Sequence, residues 1–527
     1  MKNIHRTLVI GCSLLALSAC GPQDLGSPGA NGDINIGDII NNSNNTTTTT
    51  TGGGGGGGGG VATPAASCPT TVPDGLTDKG TITGPSGEWR VCQLPAVFTQ
   101  DTTLTYEPGL LYSMHGRVDV GTDDGYTPGA NAGAKKAVLT IEPGVTIFGD
   151  EGVSGGSFII VQRGSKMMAN GTAARPIIFT AESDVKGLVQ DDTSALWGGV
   201  VLLGRGTVAD CLNGGIRPAN VGNCEMRVEG IANNIPLFGG EDNTDSSGSL
   251  KYIQIRYSGF TLEAGSELQS LTLGGVGSGT TLDYIQSYNS SDDGEEMFGG
   301  MVNQKHFVAV GAEDDSVDTD SGVQGNLQYV LAVQRDNVGD HGIENDSPAD
   351  DHGPGTTIPD ALPRTLVQIS NLTLWGASSG DLIDLRGGGD LTLANSVLYK
   401  PTATGKPCAH DHGETNGGVS AQLTLDSVLL DCTTNAITDA GVANGSGSQF
   451  LVNTLTGKYV DGDNEMLFTP IFAVNPALSA FFGNESYIGA VPRPVGNDLS
   501  WTHGWTCDST TISFGSGLSC KSLPVYS

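Results

Sequence analysis

Basic residues are scarce in this chain: 25 Lys and Arg stand against 57 Asp and Glu in 527 residues, a formal net charge of −32. Such a surface repels nucleic acid and anionic lipid headgroups, which makes both poor partners, and it favours cations. Long amphipathic helical patterns are also few. No two cysteines show the C-x-x-C spacing of zinc or thioredoxin-like redox sites. No H-E-x-x-H, P-loop, dinucleotide fingerprint or G-x-S-x-G elbow stands in a supporting setting. Near the start, the apolar stretch Thr7–Leu17 is too short to cross about 30 Å of hydrocarbon as a helix.

That short stretch has another use. Lys2 and Arg6 precede it, and Leu17-Ser18-Ala19-Cys20-Gly21 closes it. The arrangement resembles the bacterial lipobox, which implies a signal peptide over 1–19 and lipidation of Cys20. Gly21 stands where Asp would signal inner-membrane retention in enterobacteria, so the resemblance implies an outer-membrane lipoprotein held to the membrane through Cys20. Removing residues 1–19 takes away two basic residues and no acidic one, so the net charge moves from −32 to −34. Residues 20–66 then form a linker of Asn, Gly, Ser and Thr, with a Thr run at 46–51 and a Gly run at 52–60. It has too little apolar surface to fold, and as a coil it spans about 35–40 Å. Display at the cell surface is favoured over the periplasmic side by that reach, without being fixed by it.

Beyond the linker, Gly-, Asn- and Asp-rich turns separate short β-rich runs such as Tyr284–Tyr288, His306–Val310 and Tyr329–Gln334. These runs have a period. Tyr284-Ile285-Gln286, His306-Phe307-Val308 and Gln328-Tyr329-Val330 follow one another at a 22-residue step. Repeats of about 20–25 residues with several short strands imply an all-β fold, a parallel β-helix (solenoid) with loop insertions. The leucine-rich alternative lacks its L-x-x-L-x-L-x-x-N frame and its helical half. The reading divides the chain into an N-terminal cap with the first strands (67–136), the β-helix (137–450), and C-terminal rungs with a cap (451–527). Residues 207–248, 347–363 and 401–420 break the rhythm and read as projecting loops. Eight of the ten cysteines fall in this part, in the sequential couples Cys68 and Cys92, Cys211 and Cys224, Cys408 and Cys432, Cys507 and Cys520. An even number in an exported chain reads as disulfides, of which neighbour pairing is the simplest arrangement.

Several stretches then look familiar: Leu139-Thr140-Ile141-Glu142-Pro143-Gly144-Val145, Ile160 to Lys166, Pro176 to Thr180, Trp197-Gly198-Gly199-Val200, Asp292 to Gly300, Tyr487 to Val491 and Trp501 to Thr506. They resemble a group of bacterial envelope lipoproteins and secreted proteins that are right-handed parallel β-helices with pectate-lyase-like folds. The resemblance implies the fold over most of 137–506 and leaves the activity open. Glu142-Pro143-Gly144 reads as a corner between two strands, and Trp197-Gly-Gly as a strand entry with close backbone approach. Trp501 and Trp505 are expected to cover the last rung and its open edge.

Polar residues keep the same 22-residue step. It places Asp292, Asp314 and Asp336 in one column, Asp293 and Asp315 with Asn337 in a second, and Glu296, Asp318 and Asp340 in a third. Rungs lie about 4.8 Å apart. Two full charges at that distance repel by about 0.9 kcal/mol in water and several-fold more at a half-dry surface. Either protons or a cation must neutralise them, and carboxylate oxygens suit Ca²⁺, with Asp292, Asp314, Asp336, Glu296, Asp318 and Asp340 as ligands. The competing expectation is solvated Asp and Asn stabilising corners. A catalytic alternative comes from similarity to polygalacturonases, which carry N-T-D, D-D and G-H-G segments on successive rungs, then R-I-K. Ser291-Asp292-Asp293-Gly294, Asp314-Asp315 and Asp340-His341-Gly342 are similar in order, implying Asp293, Asp314, Asp315 and His341 as a hydrolytic set. His341 arrives about five positions late and no R-I-K follows, Arg386 being the nearest candidate. For lyase chemistry Arg335 is the candidate base, and His306, His341, His352 and His410 read as ordinary surface or turn residues. The expectation is a non-enzymatic binding or adhesion protein for a polysaccharide or an outer-membrane protein. A hydrolase or lyase acting at the 289–346 edge is the runner-up.

Overall fold

A computed structural model describes residues 60–212, 223–229, 231, 234–263, 266–347, 357–358, 361–377, 380–400, 407–432, 442–444, 447–471, 480–496 and 500–526. The signal peptide, Cys20, the linker to residue 59 and His352 lie outside them. Among the described residues, no helix is long and apolar enough to cross a membrane.

The described chain winds as a parallel β-helix with three faces. The first face begins with Thr102–Leu104, Val138–Ile141 and Lys166–Asn170, paired in parallel. The second begins with Gly87–Gln93, Leu110–Met114, Thr146–Gly149 and Ile177–Ala181. From Gly248–Arg256 onward one long strand serves both faces, continuing through Thr281–Tyr288, Met301–Val310, Gln324–Val333, Leu366–Trp375, Asp390–Lys400 and Gln422–Cys432. The third face stacks short strands from Val97–Phe98 to Ala409–Asp411, each parallel to the next. Inward residues such as Leu139, Ile147, Ile159, Leu202, Leu271 and Val317 are almost wholly buried in one continuous core. Burying each such side chain contributes about 1.5–3 kcal/mol.

The 22-residue step holds for one turn and then slips. Ile285 pairs with Phe307, but Phe307 pairs with Val330 rather than with Tyr329. On the third face Glu296 pairs with Asp318 at the expected step, but Asp318 pairs with Glu344, four positions beyond it. The extra residues form a turn in which Asn337 and Gly339 take positive φ. Ordered chain also begins before residue 67: Ala62 is buried and bridges to Gly87, whose missing side chain leaves room for it. The segment 401–420, expected to project, contributes Ala409–Asp411 as a further third-face strand.

Each long strand bends at one residue in the left-handed region: Tyr252, Tyr284, His306, Tyr329, Asn371, Asn395 and Ser427, with φ between 50° and 62°. That conformation costs about 1–2 kcal/mol for an L-residue, so contacts must hold it. Rings supply them first. Tyr252 stacks on Tyr284 at 4.3 Å, Tyr284 on His306 at 4.1 Å and His306 on Tyr329 at 4.5 Å. The C-terminal segment supplies the rest, and here the expected terminal rungs and cap give way to a strap. It runs back along this corner. Ser427 donates to Thr469 O, Asn395 to Ile471 O and Asn371 to Tyr487 O. Farther along, Trp501 and Trp505 lie edge-on against Tyr284, Cys507 N donates to Gln286, and Tyr526 meets Tyr106 near the opposite end. The two tryptophans therefore cover the middle of the corner column, not the last rung.

All four sequential cysteine couples are disulfides: Cys68–Cys92, Cys211–Cys224, Cys408–Cys432 and Cys507–Cys520. The first staples the N-terminal strands and the last the strap. Trp197-Gly198-Gly199 is a tight entry as expected, since a Cβ on Gly199 would lie 2.1 Å from Gln269 O. Gly144 turns the expected corner with φ of 89°.

Candidate functional site

Third-face strands are only three or four residues long, and alternation decides which side chain faces out. In Val317–Asp320, Ile343–Asn345 and Ile383–Leu385 the first residue enters the core, so the second points outward. The parallel register then aligns Glu296, Asp318, Glu344, Asp384 and His410 across five successive rungs. Three residues earlier in each rung, Asp293, Asp315, His341 and Asp381 form a second column. Backbone bonds from Gly294 N to Asp315 O and from Gly342 N to Leu382 O fix that correspondence. Two residues later come Asp320, Asp346, Arg386 and His412, tied by Arg386 N to Asn345 O and His412 N to Leu385 O.

The expected columns are thus partly redrawn. Asp292 and Asp314 stay together, but Asp340 joins them at the position expected of Asp336, its amide bonded to Asp314 O. Asp336 is exposed on the inserted turn. Glu344 takes the place expected of Asp340 beneath Asp318. The cause in each case is the four-residue turn that lengthens this one step.

Burial sorts the ladder. Asp293, Glu296, Asp315, Asp381 and Asp384 are buried, whereas Asp314 and Asp340 are exposed. At the Asp292 end no Lys or Arg among the described residues forms an ion pair with the carboxylates. Asp292, Asp293 and Asp314 each bring an oxygen within 4.8 Å of the others, as do Asp293, Glu296 and Asp318. That distance is about twice a Ca–O bond, so each trio can share one Ca²⁺. Asp318 Oδ1 is closed to solvent with no hydrogen-bond donor on it. Burial, then mutual repulsion, raises Asp292 to about 8 and holds Asp293, Glu296 and Asp318 well above the carboxylate range. Asp314 reaches solvent, but hydration lost to the crowded neighbours, then repulsion from Asp315 and Asp340, raises it to about 6. These are groups that need a proton or a cation.

The other end carries its own positive groups. Arg386 Nε lies 3.0 Å from Glu344 and 3.2 Å from Asp384. His341 Nδ1 lies 3.2 Å from Asp315, and Nε2 lies 3.6 Å from Asp340 and 4.0 Å from Asp384. Despite burial, these carboxylates raise His341 to about 9. Burial pushes Asp315 up, but His341 outweighs it and holds the carboxyl below its ordinary value. His410 Nδ1 and His412 Nε2 approach Asp384 at 3.3 and 3.1 Å. Burial, reinforced by Arg386 and His410, keeps His412 below the usual imidazole range although Asp384 opposes it.

Two carboxylates also hold the rungs together. Asp293 Oδ1 accepts the amide of Asp315 at 2.9 Å, and Asp315 Oδ1 accepts that of His341 at 2.6 Å. The four-residue turn absorbs the late arrival of His341, which therefore sits on the rung after Asp315. Arg335 pairs with Glu313 at 2.6 Å as a salt-bridge partner. His306 is locked in the ring stack with Nδ1 on Asp283. Sequence reasoning misses His410 and His412 as a pair. The signal is the H-x-H spacing, which puts both rings on one face if the segment is a strand.

A parallel β-helix with an ionisable ladder on one face is the class these features define. The family profile described as pectate-lyase like beta helix domain matches residues 120–509, and the chain belongs to that family. No curated protein and no solved structure matches it.

Proposed function

We propose that this is an outer-membrane lipoprotein, anchored through Cys20 and displayed on its linker, that binds a glycan without turning it over. Its ionisable third face is the binding surface, with Ca²⁺ between the first rungs. One observation carries the reading: two overlapping carboxylate trios around Asp293 are spaced for a hard divalent ion, and among the described residues no Lys or Arg pairs with them. A bound Ca²⁺ would turn an otherwise repulsive face into one that can take up sugar hydroxyls or carboxylates.

Hydrolysis is the second reading, favoured by the Asp293–Asp315–His341 column and by Asp314, exposed and raised to about 6 in the range of a general acid. It needs two carboxyls about 5–9.5 Å apart with a sugar between them. Asp293 and Asp315 are instead buried and engaged on backbone amides, so they cannot close on a substrate without loosening the rungs.

The test is to strip the lipid-free chain with EDTA and measure unfolding and polysaccharide binding with and without Ca²⁺. At a hundredfold excess over Kd, Ca²⁺ should stabilise by about 2.7 kcal/mol. Glycan binding should require it, with no reducing ends or unsaturated uronates released. No stabilisation would remove Ca²⁺, and turnover lost in Asp314→Asn or Asp315→Asn would establish the enzyme instead.

A further inference from the structure

We infer that Asp384, His410 and His412, with Asp381 beside them, form a site for a first-row transition metal such as Zn²⁺, distinct from the oxygen-only trios. Strand geometry builds it. His410 lies directly opposite Asp384 in the parallel register, and His412 follows on the same outward side, its amide bonded to Leu385 O. The Cys408–Cys432 disulfide fixes the strand two residues before His410. Asp384 is fully buried, while the side chains of His410 and His412 are 37% and 26% exposed, so an ion can enter from solvent onto a fixed carboxylate.

The distances suit a metal shell. With metal–ligand bonds of about 2.0–2.2 Å, neighbouring donors in a tetrahedron lie about 3.3–3.6 Å apart. Here His412 Nε2 lies 3.1 Å and His410 Nδ1 3.3 Å from Asp384 oxygens, and His410 Nδ1 lies 3.8 Å from Asp381. The two rings lie with centroids 4.6 Å apart around one carboxylate. Imidazole with carboxylate suits Zn, Ni, Cu or Fe rather than Ca²⁺. Arg386, on Asp384, Glu344 and Asp346, then serves as the outer-shell partner that orients the carboxylate.

The chelator-stripped chain, lipid-free but otherwise entire, would be titrated with Zn²⁺ by calorimetry and with Co²⁺ by visible absorption. One equivalent of Zn²⁺ should bind and resist millimolar Ca²⁺, and Co²⁺ should give ligand-field bands. Asp384→Asn and His412→Gln should each weaken Zn²⁺ by more than the roughly 100-fold that losing an outer-shell partner can cost. Asp293→Asn should leave it unchanged. Parent affinity in a His410→Gln, His412→Gln double variant would overturn the site, as would loss of binding in Asp293→Asn. Should the histidine variants misfold, Zn²⁺ on the parent chain should protect His410 and His412 from carbethoxylation, and absence of protection would be equally fatal. Failure here leaves the Ca²⁺ reading intact, because its ligands are different residues.

Discussion

Glu295 occupies the row of Val317, Ile343 and Ile383 and therefore points into the core, fully buried, accepting one hydrogen bond at 2.7 Å from Gln304. Its other oxygen has no partner. Burial raises its pKa from 4.5 to about 8, against the smaller opposing effect of Gln304. The folded chain thus keeps a proton that the unfolded chain has shed across that window, and stability must fall as pH rises from 4.5 to 8. At pH 7.5 the loss from this one group is about 4 kcal/mol. Glu295→Gln keeps the shape and the acceptor for Gln304 while removing the titration. With about 2.1 cal/mol/K of unfolding entropy per residue over roughly 450 residues, 4 kcal/mol corresponds to about 4 °C. Thermal unfolding of both chains in EDTA should show equal midpoints near pH 4 and the variant about 4 °C higher at pH 7.5. The reasoning is refuted if the gap between variant and parent does not grow with pH.

Two further perturbations test the architecture. Trp505→Ala removes a fully buried indole that donates to Trp501 O and lies against Tyr252 and Tyr284. It should cost about 3–5 kcal/mol and make the strap after residue 451 sensitive to limited proteolysis while the rungs stay resistant. Replacing Cys408 and Cys432 together by Ser opens a 24-residue separation. The expected loss is about 3 kcal/mol, with hydrogen exchange rising first in Ala409–Asp411.

What the sequence reveals is the part of the solenoid without insertions. Tyr284 to Asp318 contains one uninterrupted turn, so a regular step is visible there, and it suffices to name a parallel β-helix. On the third face the successive partners Glu296, Asp318, Glu344, Asp384 and His410 are unequally spaced, because turns of different length leave from the same corner. A fixed period cannot follow them, so it misplaces Asp336 and Asp340 and overlooks Glu344 and Asp384. Ala409–Asp411 is hidden differently. One small apolar residue before two polar ones gives no strand alternation, so only its pairing with Ile383–Leu385 reveals it. The strap is illegible because nothing local marks Tyr252, Tyr284 or His306 as left-handed; their conformation is held by stacking between turns.

The ladder changes its electrostatic character along its length, and that gradient would let the two proposed ion chemistries share one face. Charges about 4.8 Å apart repel by about 0.9 kcal/mol in water and about 3.5 kcal/mol at an effective dielectric of 20. From Glu344 onward, Arg386 and the three histidines oppose that repulsion with positive groups and nitrogen donors. From Asp292 to Asp318 the two trios bring together only carboxylate oxygens, and neutralisation must come from solution. Protons would do it in acid, where the raised carboxylates are neutral. Above pH 8 protons become scarce, and a divalent ion must replace them or the rungs must bear the repulsion. Stabilisation by Ca²⁺ should accordingly be small at pH 5 and rise through pH 8.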